Sequence, residues 1–217
     1  MSSYAILIDA GFIKRKLGSQ RAPLGVEGVR RFVEAVGTHP RLRDRRMHRV
    51  YWYDAEPLDQ KVRKPLAGGE INFGATALAR NNKRLLEDLS REDFFSIRRG
   101  DLAFRGWKIK SHKLPDDVQQ VAITAAELDP NIHQKGVDMR LGLDIAALTL
   151  KQHVELVILV AGDSDFVPAM KFARREGVQL FLVTFGHGVR RDMLEHSDLL
   201  LDVIVPSEDV MVAEGQP

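Results

Sequence analysis

Residues 156–166 read LVILVAGDSDF, and few architectures can hold them. Five apolar residues, three of them β-branched, follow one another without a polar break. That is the pattern of a strand buried on both faces, as in a parallel sheet covered by helices. The run then passes through Ala161 and Gly162 into Asp163 and Asp165, with Ser164 between them. Carboxylates are among the costliest groups to take out of water. A buried strand ending on two of them either caps the next helix or presents them to something positively charged.

The remaining segments predict the same kind of fold. YAILID (4–9) is a short apolar strand that ends on Asp9, and HRVYWYDA (48–55) is a second strand that also reaches an aspartate. VQLFLVTFG (178–186) and LLLDVIV (199–205) read as further strands. Helical spacing appears in VEGVRRFVEAVG (26–37), with apolar residues at 26, 29, 32, 33 and 36, and in residues 75–93. It recurs in VDMRLGLDIAALTLKQ (137–152), at 137, 141, 145 and 148, in 165–177 with Gly177 as the stop, and in 188–198. Residues 58–113 read as a hairpin and loop excursion. Its last part, FFSIRRGDLAFRGWKIK (94–110), suggests two strands around a turn near Gly100-Asp101. Residues 114–136 suggest a short helix near 117–127 and an irregular stretch around Pro130. The expected class is α/β: a mostly parallel sheet flanked by helices, one domain over residues 1–206, and an acidic, flexible tail at 207–217.

Composition narrows the function classes. No apolar run approaches the roughly 20 residues that cross a bilayer, so no membrane partner is expected. The N-terminus lacks the basic region and cleavage pattern of a signal peptide and reads as a first core strand; the expected compartment is the cytoplasm. The chain has no cysteine, hence no disulfide, thiolate metal site or thiol nucleophile. A net charge of +2 does not by itself argue for nucleic acid. The distribution says more, because cations gather in the first half, in RLRDRRMHR (41–49), KVRK (61–64), RNNKR (80–84) and RRGDLAFRGWKIKSHK (98–113). Basic runs are also common as plain solvated faces.

In a parallel α/β sheet, ligands sit beyond the carboxyl ends of the strands. Asp9, Asp163 and Asp165 follow such ends. Asp138 lies in the first turn of a helix approached through Gly136. Carboxylates gathered in one cleft raise each other's pKa and call for a cation. Without cysteine or a histidine pair at helical ligand spacing, oxygen ligands favour Mg²⁺ or Mn²⁺ over zinc. Each acid also has an ordinary use. Asp163 or Ser164 can cap the following helix, Asp138 can complement a helix dipole, and Asp9 can serve a turn. Asp144, six residues after Asp138, lies on another face of the helix, where it supports the site or pairs with Arg140.

Beyond these positions, IDAGF, VYWYDAEPL, RRGDL, QKGVDMRLGLDIAAL and VILVAGDSDFVPAMKFARREGVQLFLVTFG resemble the NYN domain of the bacterial LabA-like group, within the PIN-like nuclease superfamily. The likeness runs from Tyr4 to about Val205. Its specific parts are KGVDxxLxxD and GDSDFxP, found in that order. Many members carry Asp-x-x-Asn at the first motif, where this chain has Asp9 and Phe12, so one polar contact at the rim is lost. The resemblance implies a Rossmann-like sheet whose acidic rim binds Mg²⁺ or Mn²⁺ and cuts RNA phosphodiesters. By position, Asp9, Asp138 and Asp163 match the core metal-site acids, Asp165 a further acid, and Lys135 and Asp144 other family positions.

In-line attack on a phosphodiester needs an activated water and a counter-charge for the phosphoryl and leaving oxygens, both of which metal ions supply. On that expectation Asp9 and Asp163 bind metal directly, Asp138 completes the pocket and Asp165 holds a water or a second ion. Lys135 neutralises the phosphate or pairs with an acid, and Ser164 donates to a phosphate oxygen or caps its helix. Arg98, Arg99, Arg105, Lys108 and Lys110, with Trp107 and Phe104 interleaved, are candidates for single-stranded RNA. Cations would position phosphates and rings would stack on bases, unless the rings pack inward. A homodimer is compatible with the sequence and not required by it. The alternative function is an inactive RNA-binding or regulatory domain, favoured by Phe12. A third reading is a phosphatase or nucleotide-binding domain: nucleotide cofactors are disfavoured, since no GxGxxG or GxxxxGK[ST] loop occurs, and a phosphatase with an aspartyl nucleophile would need Asp9 to become phosphorylated.

Overall fold

In the computed structural model, which describes residues 2–110, 117 and 119–206, the apolar runs form a central seven-stranded sheet with helices on both faces. The strands are β1 (Ser2–Asp9), β2 (Arg45–Ala55), β5 (Phe95–Ile109), β6 (Leu128–Lys135), β7 (Leu156–Val160), β8 (Gln179–Val183) and β9 (Leu199–Leu200). Their order in space is β6-β5-β2-β1-β7-β8-β9. Every neighbouring pair is parallel except β5 with β6. Two short strands, β3 (Lys61–Arg63) and β4 (Glu70–Asn72), make a separate antiparallel pair. Among the described residues no helix is long and apolar enough to cross a membrane.

Alternation along the strands splits the core in two. Tyr4, Ile6 and Ile8 of β1 and Leu156, Ile158 and Val160 of β7 face one side. There they pack on α1 (Ala10–Leu17), α2 (Val26–Gly37) and α3 (Ala77–Leu89). Ala5, Leu7, Val157 and Leu159 face the other, against α4 (Val137–Leu150), α5 (Val167–Arg175) and α6 (Arg191–Glu195). All five residues of β7 are fully buried. Burying an aliphatic side chain of this size stabilises by about 1.5–3 kcal/mol, so β7 is a rigid post between two helical layers. From β1 the chain builds outward to β2 and β5 on one side and to β7, β8 and β9 on the other. The junction of β1 and β7 is therefore the point where the winding direction changes, which is where open α/β sheets bind ligands.

Several local expectations are corrected. No turn breaks the strand at Gly100-Asp101: β5 is one 15-residue strand, parallel to β2 through its first half and antiparallel to β6 through its second. Gly100 is needed for space, since a Cβ there would lie 2.6 Å from the Lys135 carbonyl oxygen and 2.4 Å from Val137 Cγ2. The segment around Pro130 is the edge strand β6, and no helix spans 117–127; a 3₁₀ turn covers Ala125–Glu127. An edge strand tolerates proline because its outward N–H needs no ladder partner. Pro130 pairs opposite Trp107, beside a register shift at Arg105-Gly106 where Gly106 has φ +94°. The last strand is shorter than its apolar run, at Leu199–Leu200, and the helix expected at 188–198 contracts to α6. The acidic tail at 207–217 lies outside the described residues.

Candidate active site

Asp9 ends β1 and is the N-cap of α1, its Oδ1 accepting from the Phe12 N–H at 3.3 Å. Asp163 follows β7 and caps the turn Ser164–Phe166, its Oδ1 accepting from the Asp165 N–H at 2.9 Å. The Asp9 carboxylate is held by the Phe12 and Gly11 N–H groups, while Asp163 spends Oδ1 on backbone and its Oδ2 makes no hydrogen bond among the described residues. Asp138 stands in the first turn of α4, after Gly136 at φ +74°. A side chain at Gly136 would be strained in that left-handed conformation and would meet Arg140 Nη1 at 2.4 Å. Arg140 itself donates to the Gly136 carbonyl at 2.9 Å.

A cavity of about 300 Å³ opens at the junction of β1 and β7. Asp9, Asp163 and Ser164 line it on the acidic side, with Arg15, His187 and Arg190 also on its walls. Asp138 and Asp165 are exposed and stand outside this lining. They remain electrostatically joined to it. Burial, and then the charges of Asp163 and Asp165, push the Asp138 carboxyl above the usual carboxylate range. Burial also raises Asp9, with a smaller push from Asp138, against lowering by the Phe12 N–H and by Arg15. None of Asp9, Asp138, Asp163 or Asp165 forms an ion pair with a described Lys, Arg or His. Nor do any three His, Asp or Glu side chains among the described residues converge closely enough to enclose a metal ion unaided.

That arrangement fits a hard divalent cation in its donor chemistry. The oxygens are carboxylates at adjacent strand ends, and none of them is in an ion pair with a described cation. Mg²⁺ in particular keeps several waters and takes few protein ligands, so two carboxylates with outer acids are sufficient. The raised groups bear on stability. A carboxyl with a folded pKa above its unfolded value penalises folding once it ionises: the penalty is absent below the ordinary value and grows as pH rises through the raised one. Metal-free protein is therefore expected to lose thermal stability through Asp9 and Asp138 as pH rises above the ordinary carboxylate range. Thermal unfolding with chelator across that rise in pH checks this, and Asp9→Asn should flatten the dependence.

The other predicted residues scatter. Asp144 does not pair with Arg140. It accepts from Arg98 Nε at 2.6 Å and from the Tyr53 hydroxyl at 2.9 Å, a structural cluster between β5, β2 and α4. Burial, reinforced by Asp144, pushes the Tyr53 phenol far up, so it stays a donor. Arg98 is thus held inward, with its guanidinium also 5.0 Å from the Tyr51 ring centre. Arg99 pairs with Glu56 at 2.9 Å, and Lys110 donates to the Ala126 carbonyl at 3.0 Å. Arg105 and Lys108 are exposed. Trp107 donates to the Arg63 carbonyl at 3.2 Å and sits edge-on to Phe104, which in turn contacts Phe73. Those rings fasten the β3–β4 hairpin to β5. Lys135, at the end of β6, is exposed and unpaired among the described residues.

The reading from sequence missed Arg15, His187 and Arg190. Their signal was available in position: α1 directly follows β1, and TFGHGVRR directly follows β8, so both segments reach the same rim. Phe12 does more than remove an asparagine. Its ring is buried against Phe185 and His187, and only glycine fits at 162, where a Cβ would lie 2.6 Å from Phe12 Cε2.

The NYN domain family matches residues 52–199, which include Lys135, Asp138, Asp144, Asp163 and Asp165 but not Asp9. No curated protein matches the chain. A crystal structure of a protein of unknown function from Vibrio parahaemolyticus is 13% identical, with a TM-score of 0.49 over 91% of this chain and 90% of that one. A likeness that distant carries no functional argument. With more than half its length matched and its acids on the rim of a mostly parallel sheet, the chain belongs to the NYN domain family, whose domains are generally of nuclease type.

Proposed function

We propose that the chain is a metal-dependent ribonuclease of the LabA-like kind, hydrolysing phosphodiester bonds of single-stranded RNA with Mg²⁺ or Mn²⁺. The observation that carries this reading is the pair Asp9 and Asp163 at the winding junction, with Asp138 and Asp165 close enough to act on them electrostatically and none of the four in an ion pair with a described cation. Structural aspartates in a folded chain are ordinarily paired as well as capped; here burial and neighbouring carboxylates raise the proton affinity of Asp9 and Asp138. Bound there, the metal supplies charge stabilisation and a nucleophile at neutral pH.

The residues' own roles follow from their places. Asp9 and Asp163 would hold the cation. Asp138 and Asp165 would order its outer waters. Arg15, His187 and Arg190, which line the same cavity, would place the scissile phosphate without reading sequence. Lys135 would reach the same phosphate from the end of β6. The buried β1 and β7 keep the two direct ligands fixed while substrate arrives.

The test is cleavage of an end-labelled single-stranded RNA by the purified chain with Mn²⁺, with Mg²⁺ and with chelator. Cleavage confined to the metal arms supports the reading. RNA bound but left intact in every arm turns the account toward the inactive RNA-binding alternative.

A further inference from the structure

A second, larger cavity of about 380 Å³ opens on the far shoulder of α1, between that helix, the loop after it and α3. Arg15 lines both cavities. Leu24 and Leu78 form apolar walls, and Leu78 is 71% exposed, high for a leucine on a helix otherwise packed into the core. Around them stand three side-chain amides, Gln20, Asn81 and Asn82, and none has a hydrogen-bond partner among the described residues. Of the cations on this wall, Lys14 is held by Asp54, and Arg15 forms no ion pair with a described residue, though its charge acts on Asp9.

An amide carries a donor and an acceptor side by side. That pair complements the edge of a nucleobase, and the bidentate match of Asn or Gln is to adenine. A phosphate or an acidic peptide would call for cations, and a lipid tail would not use three amides. Single-stranded RNA offers splayed bases joined to phosphates, the combination that apolar walls, amides and one arginine can take. We propose that this cavity is the subsite for a nucleobase of the RNA strand, adenine by preference, with Arg15 bridging its phosphate to the acidic cavity. The inference rests on the nuclease reading of that cavity.

The test measures binding of fluorescent oligo(A) and oligo(U) to the full chain in an Asp163→Asn background, alone and with inorganic phosphate as competitor. Asn81→Ala/Asn82→Ala and Leu78→Ala are compared with that parent, and circular dichroism verifies that each is folded. These residues lie on an exposed face, so the fold should hold. The expected result is oligo(A) binding weakened by about 10-fold or more in the amide variant. Oligo(U) should change less, and the salt slope should be unaltered, since no phosphate contact is lost. Equal binding by variants and parent, while wild type cleaves RNA with Mn²⁺, overturns the subsite and leaves the nuclease standing. Equal losses for both oligomers with a shallower salt slope also overturn it, marking a phosphate track. No RNA binding by the parent and no cleavage by wild type overturns both.

Discussion

Asp163→Asn is expected to lower metal-dependent RNA cleavage on the order of 10³-fold or more while leaving the fold unchanged. The size follows from removing one member of a charge-stabilising set that acts as a unit. The second half of the expectation separates this variant from a damaged protein. Asparagine keeps the Oδ1 acceptor that the Asp165 N–H requires, so the turn Ser164–Phe166 stays capped. It also removes a negative charge that pushes on Asp138, so the thermal midpoint of the metal-free chain should stay level or rise. Initial rates with Mn²⁺, alongside an unfolding curve on the same preparation, check both halves. A large fall in midpoint would assign Asp163 to structure.

Lys14→Met should be the most destabilising single change at the rim. Lys14, near the end of α1, donates to Asp54 Oδ2 at 2.5 Å, and Asp54 is almost wholly buried at the end of β2. Its Oδ1 accepts from the Ala55 N–H at 2.9 Å, and Oδ2 also accepts from Trp52 Nε1 at 3.3 Å. Breaking a buried pair from one side strands the other charge, which costs about 3 kcal/mol or more. In a chain of this size that is a fall of roughly 6–12 °C in the thermal midpoint. Lys14→Met/Asp54→Asn should recover most of the loss, because the buried group is then neutral and can still accept from Ala55. The pair also clamps α1, whose first cap is Asp9, onto β2, so the single variant should weaken activity as well. Unfolding curves for the three proteins check this; a double variant no more stable than Lys14→Met would contradict it.

The parts of the fold legible in the sequence were those set by periodicity and burial. LVILV could be nothing but a fully buried strand, and β1, β2, α2 and α4 fell where their apolar spacing put them. Legibility failed where one local pattern has two physical causes. Gly100 resembles a turn residue, yet the structure needs it because the chain approaching α4 crosses β5 there. Pro130 resembles a strand breaker, yet it lies on the edge strand β6, where proline is tolerated. That β6 lies at an edge is a property of the sheet that no window of sequence contains.

The candidate site divides in the same way. Asp9 and Asp163 were readable because strand ends of a parallel sheet share a rim, and that rim is where they stand. The partner of Asp144 was not readable: Arg140 is one turn away along the helix, whereas Arg98 arrives from a strand 46 residues earlier. Arg15, His187 and Arg190 stand apart in the sequence, whereas the dense run of cations lies at residues 98–110. There Arg98, Arg99 and Lys110 are engaged with protein groups instead.

The central claim is that the rim acids hold a divalent cation. Calorimetric titration of Mn²⁺ into the wild-type chain and into Asp9→Asn/Asp163→Asn tests it most directly, because it needs no knowledge of the RNA. The account predicts saturable binding by the wild type and no binding by the double variant. Absence of binding to either protein would contradict it and reduce these aspartates to caps.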